Sequence, residues 1–339
     1  MNYGRGCWFI PGCCINLIIM WLRRIATDRW LSHLCFITAG IALAATIEVP
    51  ASLNERQVAG QQNSQEQSVT LYFTAHDKED RIVTDLGTGD VRLFEDGKEQ
   101  KIESLWPANF MPVAIGLLID TSGTRRNAMP GAERDAAIEF FRLALRKEDR
   151  AFVAAFSDAA RPGRYFSNDL SQLEQDIQLA ISEQPRGGTS TYDAIVWACE
   201  KMLITWPGRR MLIVVSDNGD NASRNRIELA IERALRSQTT VYFMIPTSKQ
   251  LSDRRGYSRF LGKAARISAE TGGTSMNIPK KEVFLDAFNY LAADLQSGYA
   301  LRYVPLSPRK RGKFHKIKIE TVRPGMKIYV PQGYYEPKK

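Results

Sequence analysis

The sequence predicts an α/β fold: a doubly wound, mostly parallel sheet flanked by helices, with a small all-β module built from the N- and C-terminal flanks. Three observations carry this. Val113 to Ile119 is a near-continuous apolar run, as a strand covered on both faces requires. Beyond it, short apolar runs alternate with stretches of helical period as far as residue 297. On either side, residues 68–107 and 298–339 read as short strands and turns without a helical pattern.

Taken in order, Val69 to Phe73, Arg81-Ile82-Val83 and Val91 to Phe94 are strand-like, and Glu95-Asp96-Gly97-Lys98 is a hairpin turn leading to Lys101-Ile102-Glu103. The central region, 110–297, opens on Val113–Ile119. Helical spacing follows at Arg134 to Leu145, where Ile138, Phe141 and Leu145 share a face. Then come strand Ala151 to Phe156, helix Leu170 to Ile181, helix Tyr192 to Ile204 and strand Met211 to Val215. Helix Arg226 to Leu235, strand Thr240 to Ile245, helix Tyr257 to Ala269 and strand Thr274 to Ile278 continue the alternation. Helix Glu282 to Leu295 closes it, with Phe284, Phe288, Leu291 and Leu295 on one face. After Ser297-Gly298, strand-like runs at Tyr299 to Val304, His315 to Val322 and Lys327 to Val330 return. Neither flank is large enough to be stable alone, so the two are expected to complete each other.

The first 51 residues read as targeting. Arg23, Arg24 and Arg29 precede the apolar run Leu31 to Thr46, which ends near Ala42-Leu43-Ala44, a small-x-small pattern suited to signal peptidase. An earlier apolar patch, Cys7 to Met20, leaves two readings open: a signal peptide, with Met20 as the natural start, or an uncleaved N-terminal anchor. Either way the protein is expected outside the cytoplasm, periplasmic or extracellular. Residues 52–67 are polar, Gln-rich and without period, and read as a linker. Cys7, Cys13, Cys14 and Cys35 lie in the targeting region, which leaves Cys199 alone in the body and rules out an internal disulfide there. The 302–339 stretch holds eleven Lys/Arg against Glu320 and Glu336, a net of +9 equal to that of the whole chain. No nucleic-acid-binding motif accompanies this charge, so a solvated strand face is the expectation and nucleic acid is not expected as a partner. His33, His76 and His315 are too scattered in sequence to announce a zinc site.

The chemistry gathers at strand ends, where ligands collect in open α/β sheets. Val113–Ile119 runs into Asp120-Thr121-Ser122-Gly123-Thr124, with one carboxylate and two hydroxyls at alternate positions that can converge. A hard cation such as Mg²⁺ takes about six oxygen ligands, waters included. Two further places can add to the set: Thr189 after Gly187-Gly188, and Asp217 after Val214-Val215-Ser216. The plainer alternative has Ser122 and Thr124 capping a turn and Asp217 as an ordinary loop residue. Asp158, after Phe156-Ser157, is expected to be an ordinary loop carboxylate near the rim.

This constellation resembles the metal-ion-dependent adhesion site of von Willebrand factor A-type (VWA) domains: D-x-S-x-S, then a Thr after a Gly-rich loop, then an Asp at a strand end. Asp120, Ser122 and Thr124 match the first motif, Thr189 the second and Asp217 the third, with Thr124 standing where the pattern has Ser. The resemblance spans about 110–295. With the flanks LFEDGKEQKIES (93–104) and GYALRYVP (298–305), the chain is similar to VWA-related proteins of acidobacteria. The resemblance implies a VWA/Rossmann-like fold and a non-enzymatic module that binds Mg²⁺ (or Mn²⁺ or Ca²⁺). In the family the Ser and Gly-loop Thr positions touch the ion, the carboxylates often act through water, and a protein partner's Asp or Glu carboxylate takes the open position. An enzymatic alternative stays open. Asp120-x-x-Gly123-Thr124 also resembles the nucleophile motif of Mg²⁺-dependent haloacid-dehalogenase-type phosphatases, with Asp120 as nucleophile and Asp217-Asn218-Gly219-Asp220 as the acidic loop. That scheme leaves Gly187-Gly188-Thr189 without a role.

Overall fold

A computed structural model describes residues 68–123, 130–163, 165–182, 186–217, 219–247, 256–280, 282–307 and 309–337. The targeting segment, the linker, Thr124 and Asn218 lie outside the described residues. In chain order the strands are β1 (Val69–His76), β2 (Val91–Glu95), β3 (Lys98–Gln100), β4 (Ile102–Pro107), β5 (Val113–Asp120), β6 (Arg150–Phe156) and β7 (Ala160–Pro162). They continue with β8 (Arg209–Val215), β9 (Thr239–Pro246), β10 (Ser275–Ile278), β11 (Tyr299–Tyr303), β12 (Phe314–Thr321), β13 (Lys327–Tyr329) and β14 (Gly333–Tyr335). The helices are α1 (Pro130–Ala144), α2 (Leu170–Ser182), α3 (Thr191–Trp197), α4 (Ile227–Arg236), α5 (Tyr257–Thr271) and α6 (Glu282–Ser297).

The central sheet runs β10-β9-β8-β5-β6-β7, parallel throughout except for the β6–β7 pair. Every residue of β5 is buried, because successive side chains enter different cores. Val113, Ile115, Leu117 and Ile119 join α1, α2 and α6, while Ala114 and Leu118 join α3, α4 and α5. Gly116 breaks the apolar run for a steric reason. A Cβ there would lie 2.6 Å from Phe152 Cζ and 2.7 Å from Leu212 Cδ1, so the glycine makes room for its neighbours in the sheet.

The flanking strands form two antiparallel four-stranded sheets, β13-β1-β11-β4 and β14-β12-β2-β3, each drawing strands from both flanks of the chain. They share a core that includes Leu71, Phe73, Leu93, Leu301, Tyr303, Ile317 and Ile319. On β12 Ile317 and Ile319 are buried whereas Lys316 and Lys318 are exposed, so these two cations of the C-terminal excess stand in solvent. The Asp96-Gly97 turn has φ of 49° and 81°, the left-handed pair that a two-residue hairpin requires.

Three local expectations change. Arg81-Ile82-Val83 forms no strand. The Asp77 carboxylate accepts from the Glu79 and Arg81 amides at 3.0 and 2.9 Å, tightening a turn that leaves only the isolated bridge His76–Ile82. The helix expected over 192–204 is α-helical only to Trp197 and continues as a π-turn, Ala198–Leu203, which buries Cys199, Met202 and Leu203. Strand β7 has no signature in the sequence, since three residues ending in Pro162 carry no period. Among the described residues no helix is long and apolar enough to cross a membrane.

Burial pushes the Cys199 thiol up to about 12, against smaller opposing effects of Ser237 and Thr239. A fully buried thiol kept protonated at neutral pH is a poor nucleophile. Alkylation with iodoacetamide followed by peptide mapping should leave Cys199 unmodified in the folded protein and modify it in denaturant. Native-state labelling would contradict this packing.

Candidate functional site

Strands β5 and β8 are parallel neighbours, with Ile119 opposite Val215, so their next residues, Asp120 and Ser216, emerge side by side at the carboxyl end of the sheet. Asp120 is 1% exposed. Its Oδ1 accepts from the Ser122 amide at 2.8 Å and its Oδ2 from the Ser216 hydroxyl at 2.6 Å. The first bond folds the chain into a tight turn over the strand end, and the second ties that turn to the neighbouring strand. Ser122 is buried by the same turn, and Asp217, next after Ser216, is 2% exposed.

The glycine loop locks onto this turn from the other side. The Arg186 amide donates to Thr121 O and the Gly123 amide to Gly187 O, both at 3.2 Å. Gly187 has φ of 71°, and a Cβ there would sit 2.1 Å from Asp158 Oδ2. At Gly188 a Cβ would meet Ala222 Cβ at 2.7 Å and Asn221 Oδ1 at 2.8 Å. Gly187 is therefore dictated by backbone angle and close approach together, and Gly188 by close approach. Asp158 accepts from the Gly188 amide at 2.7 Å, so the loop carboxylate near the rim has a definite task. Asn221 clamps the next residue: its Oδ1 accepts from the Thr189 amide at 2.8 Å, and its own amide and that of Ala222 donate to Thr189 O at 3.0 and 3.1 Å. Three loops, after β5, before α3 and after β8, are thus bonded to one another.

The structure therefore bonds Asp120 to Ser122 directly, and reaches Thr189 and Asp217 through the bonded loops that carry them. Thr124 lies outside the described residues. One atom stands out. Thr189 is fully buried, yet among the described residues its Oγ1 has no hydrogen-bond partner. Leaving a buried hydroxyl unsatisfied costs about 1–3 kcal/mol. A cation bound among these groups would take up that lone pair. Two buried carboxylates with neutral hydroxyls make an all-oxygen set of the kind Mg²⁺ prefers. On both counts the residues present fit a hard divalent ion.

Sequence reasoning missed several residues that build the site. Ser216 had a signal: it follows the strand register partner of Ile119, so a side chain there falls beside Asp120. Asn221 had none, because a clamp on a residue 32 positions away leaves no spacing pattern. Arg161 of β7 is also new. It donates to the hydroxyls of Thr121 and Ser157, each at 2.8 Å, placing a guanidinium beneath the β5 turn.

No family model matches the chain, and no curated protein does. Among solved structures it is similar to a von Willebrand factor type A protein from Catenulispora acidiphila, at 11% identity and a TM-score of 0.47, covering 80% of this chain and 75% of that one. It is also similar to the PilB minor pilin from Streptococcus sanguinis, at 14% identity and a TM-score of 0.41, covering 55% of this chain. The match spans 62% of the PilB chain, less than two thirds of its length. The vWF domain of the type V pili tip protein Mfa5 from Porphyromonas gingivalis matches at 11% identity and a TM-score of 0.43, covering 54% of this chain and 94% of that one.

Proposed function

We propose that this protein is an exported, non-enzymatic interaction module of the VWA type, which holds one divalent cation, Mg²⁺ or alternatively Mn²⁺ or Ca²⁺, and uses it to bind a protein partner. The observation that supports the reading best is the buried, unpartnered Thr189 hydroxyl in a loop locked against the Asp120 turn. Asp120 and Asp217 supply the negative charge, and Ser122, Thr124 and Thr189 supply neutral oxygens. The bound ion would offer Lewis acidity toward a carboxylate from the partner's Asp or Glu. The chain's own part is positioning. Ser216 and the Ser122 amide hold the Asp120 carboxylate in one orientation, and Asn221 fixes the Thr189 backbone. Because these bonds hold the groups in place already, little ordering entropy remains to be lost when an ion binds.

The phosphatase reading asks Asp120 to attack phosphorus, whereas here both of its oxygens accept hydrogen bonds from the protein. Calorimetric titration of the purified protein with Mg²⁺ should show binding that Thr189→Val weakens about 5- to 10-fold, as expected for one neutral ligand worth about 1–1.5 kcal/mol. Thr189→Ser should leave it nearly unchanged. Absence of Mg²⁺ binding by the wild type, or equal affinity in Thr189→Val, would sink the proposal. Trapping a covalent phosphate on Asp120 with a phosphomonoester would replace it with the enzyme reading.

A further inference from the structure

A second cluster of ligating groups lies in the flanking sheets, on elements that contribute nothing to the Asp120 site. His315 sits near the start of β12, two positions before the buried Ile317, and is paired with Tyr334 of β14. Glu95 ends β2, and Asp96 opens the hairpin turn that follows. The His315 Nδ1 lies 2.9 Å from Asp96 Oδ2 and 3.3 Å from Glu95 Oε1, and the three ligand atoms are all within 4.8 Å of one another.

Both carboxylates are fixed in place by further hydrogen bonds. Glu95 Oε2 accepts from the Tyr303 hydroxyl at 3.1 Å and Oε1 from the Tyr334 hydroxyl at 3.0 Å. Asp96 Oδ1 accepts from the Lys316 amide at 2.8 Å, leaving Oδ2 turned to the imidazole. Outer groups that orient carboxylate ligands in this way are typical of metal centres. The imidazole itself is poorly served as a plain hydrogen-bonding residue. One Nδ1 proton faces two carboxylate oxygens and can be donated well to only one of them. The other ring nitrogen, Nε2, is buried and, among the described residues, has no partner. Glu95 is 6% exposed, so its charge is mostly shielded from water that would otherwise stabilise it. A divalent cation balances both carboxylates where a single proton cannot. A tetrahedral ion with bonds of ~2.0–2.2 Å holds its donors ~3.3–3.6 Å apart. Of the two separations from Nδ1, 3.3 Å to Glu95 meets that and 2.9 Å to Asp96 needs an opening of a few tenths of an ångström, which the half-exposed Asp96 side chain can supply.

We propose that Glu95, Asp96 and His315 form a binding site for one borderline transition-metal ion of the Zn²⁺ class, with water as the remaining ligand. The imidazole donor selects such an ion over Mg²⁺. On binding, the neutral imidazole takes the tautomer with its one proton on Nε2, and the Nδ1 lone pair bonds the ion, so no net proton is lost from the ring and no redox partner is needed. The site pins the β2–β3 hairpin to β12 and β14, and it does not depend on the proposed Mg²⁺ site.

The test is competition between the EDTA-stripped full-length protein and a chromogenic chelator for Zn²⁺. The wild type should hold one more equivalent than either His315→Asn or Asp96→Asn, with affinity for that equivalent falling about 100-fold in each variant. Asp96→Asn guards against misfolding, since Asn tolerates the positive φ of 49° and keeps an oxygen for the Lys316 amide. Comparing variants with wild type also cancels any zinc bound by the cysteines near the N-terminus. Asp120→Ala should keep the equivalent that Asp96→Asn and His315→Asn lose, which separates failure of this site from failure of the Mg²⁺ site. Unchanged zinc stoichiometry and affinity in Asp96→Asn or His315→Asn would overturn the proposal.

Discussion

Replacing Asp120 by alanine is expected to abolish the thermal stabilisation that Mg²⁺ gives the wild-type protein. A ligand that binds only the folded state stabilises it by about 2.7 kcal/mol at one hundred times its Kd. For a chain of this size that is a rise in Tm of about 4–5 °C. Asp120 supplies charge as well as geometry, and a divalent ion left with one carboxylate fewer is under-compensated at a buried site. The absolute Tm is a poorer guide. The substitution also leaves the Ser216 hydroxyl and Ser122 amide without their acceptor, which by itself costs about 1–3 kcal/mol each in the absence of any ion. The decisive quantity is the slope of Tm against the logarithm of Mg²⁺ concentration: positive for wild type, flat for Asp120→Ala and for Asp217→Ala, reduced for Thr189→Ala, and unchanged for Thr124→Ser. Parallel slopes in wild type and Asp120→Ala would reduce these residues to turn-forming groups.

What the sequence discloses about this protein divides along a physical line. A strand buried on both faces must be apolar at nearly every position, so β5 and β8 announce themselves, and the polar residues that follow them stand out against that background. That is why Asp120, Ser122 and Asp217 can be named as candidates without coordinates. The supporting bonds are of another kind. The Ser216 hydroxyl reaches Asp120 across 96 residues, and Asp158 reaches the Gly188 amide across 30, with no repeat or period to mark either. The π-turn at Ala198–Leu203 is equally hidden, because Cys199, Met202 and Leu203 are as apolar as an α-helix there would need. The approach of His315 to Glu95 and Asp96 is hidden in the same way, because sequence spacing does not show that β2 and β12 are paired, with Glu95 opposite Ile317. Antiparallel pairing between distant segments creates ligand sets that no local motif records.

The same reasoning leads to the largest stability effect expected in the molecule, at Asp294 of α6. This carboxylate is 2% exposed and serves two buried partners from two sheets: His76 Nε2 of β1 lies 3.1 Å from Oδ1, and the Tyr242 hydroxyl of β9 donates to Oδ2 at 2.6 Å. Around the imidazole stand the Tyr290 hydroxyl at 3.3 Å and Asp80 Oδ1 at 3.5 Å from Nδ1, with the Tyr329 ring edge-on at 4.9 Å. Burial alone would push the His76 pKa down. The hydrogen bond to Asp294 and its charge, helped by Asp80, outweigh burial and hold it above the ordinary imidazole value. Asp294→Ala removes the one acceptor common to His76 and Tyr242, and breaking such a buried pair costs about 3–5 kcal/mol. The pH dependence follows from the sign of the shift. A raised folded-state pKa means that the charged pair stabilises fully below the unfolded value of about 6.5, and that this contribution is lost as pH rises through the raised value. Urea unfolding of wild type and Asp294→Ala should therefore show their largest difference near pH 6 and a smaller one near pH 9, and the difference between wild type and His76→Asn should change in the same direction. A gap that stays constant over that range would mean that His76 serves here as a neutral hydrogen-bonding group, and that charge has no part in fastening α6 to the flanking sheet.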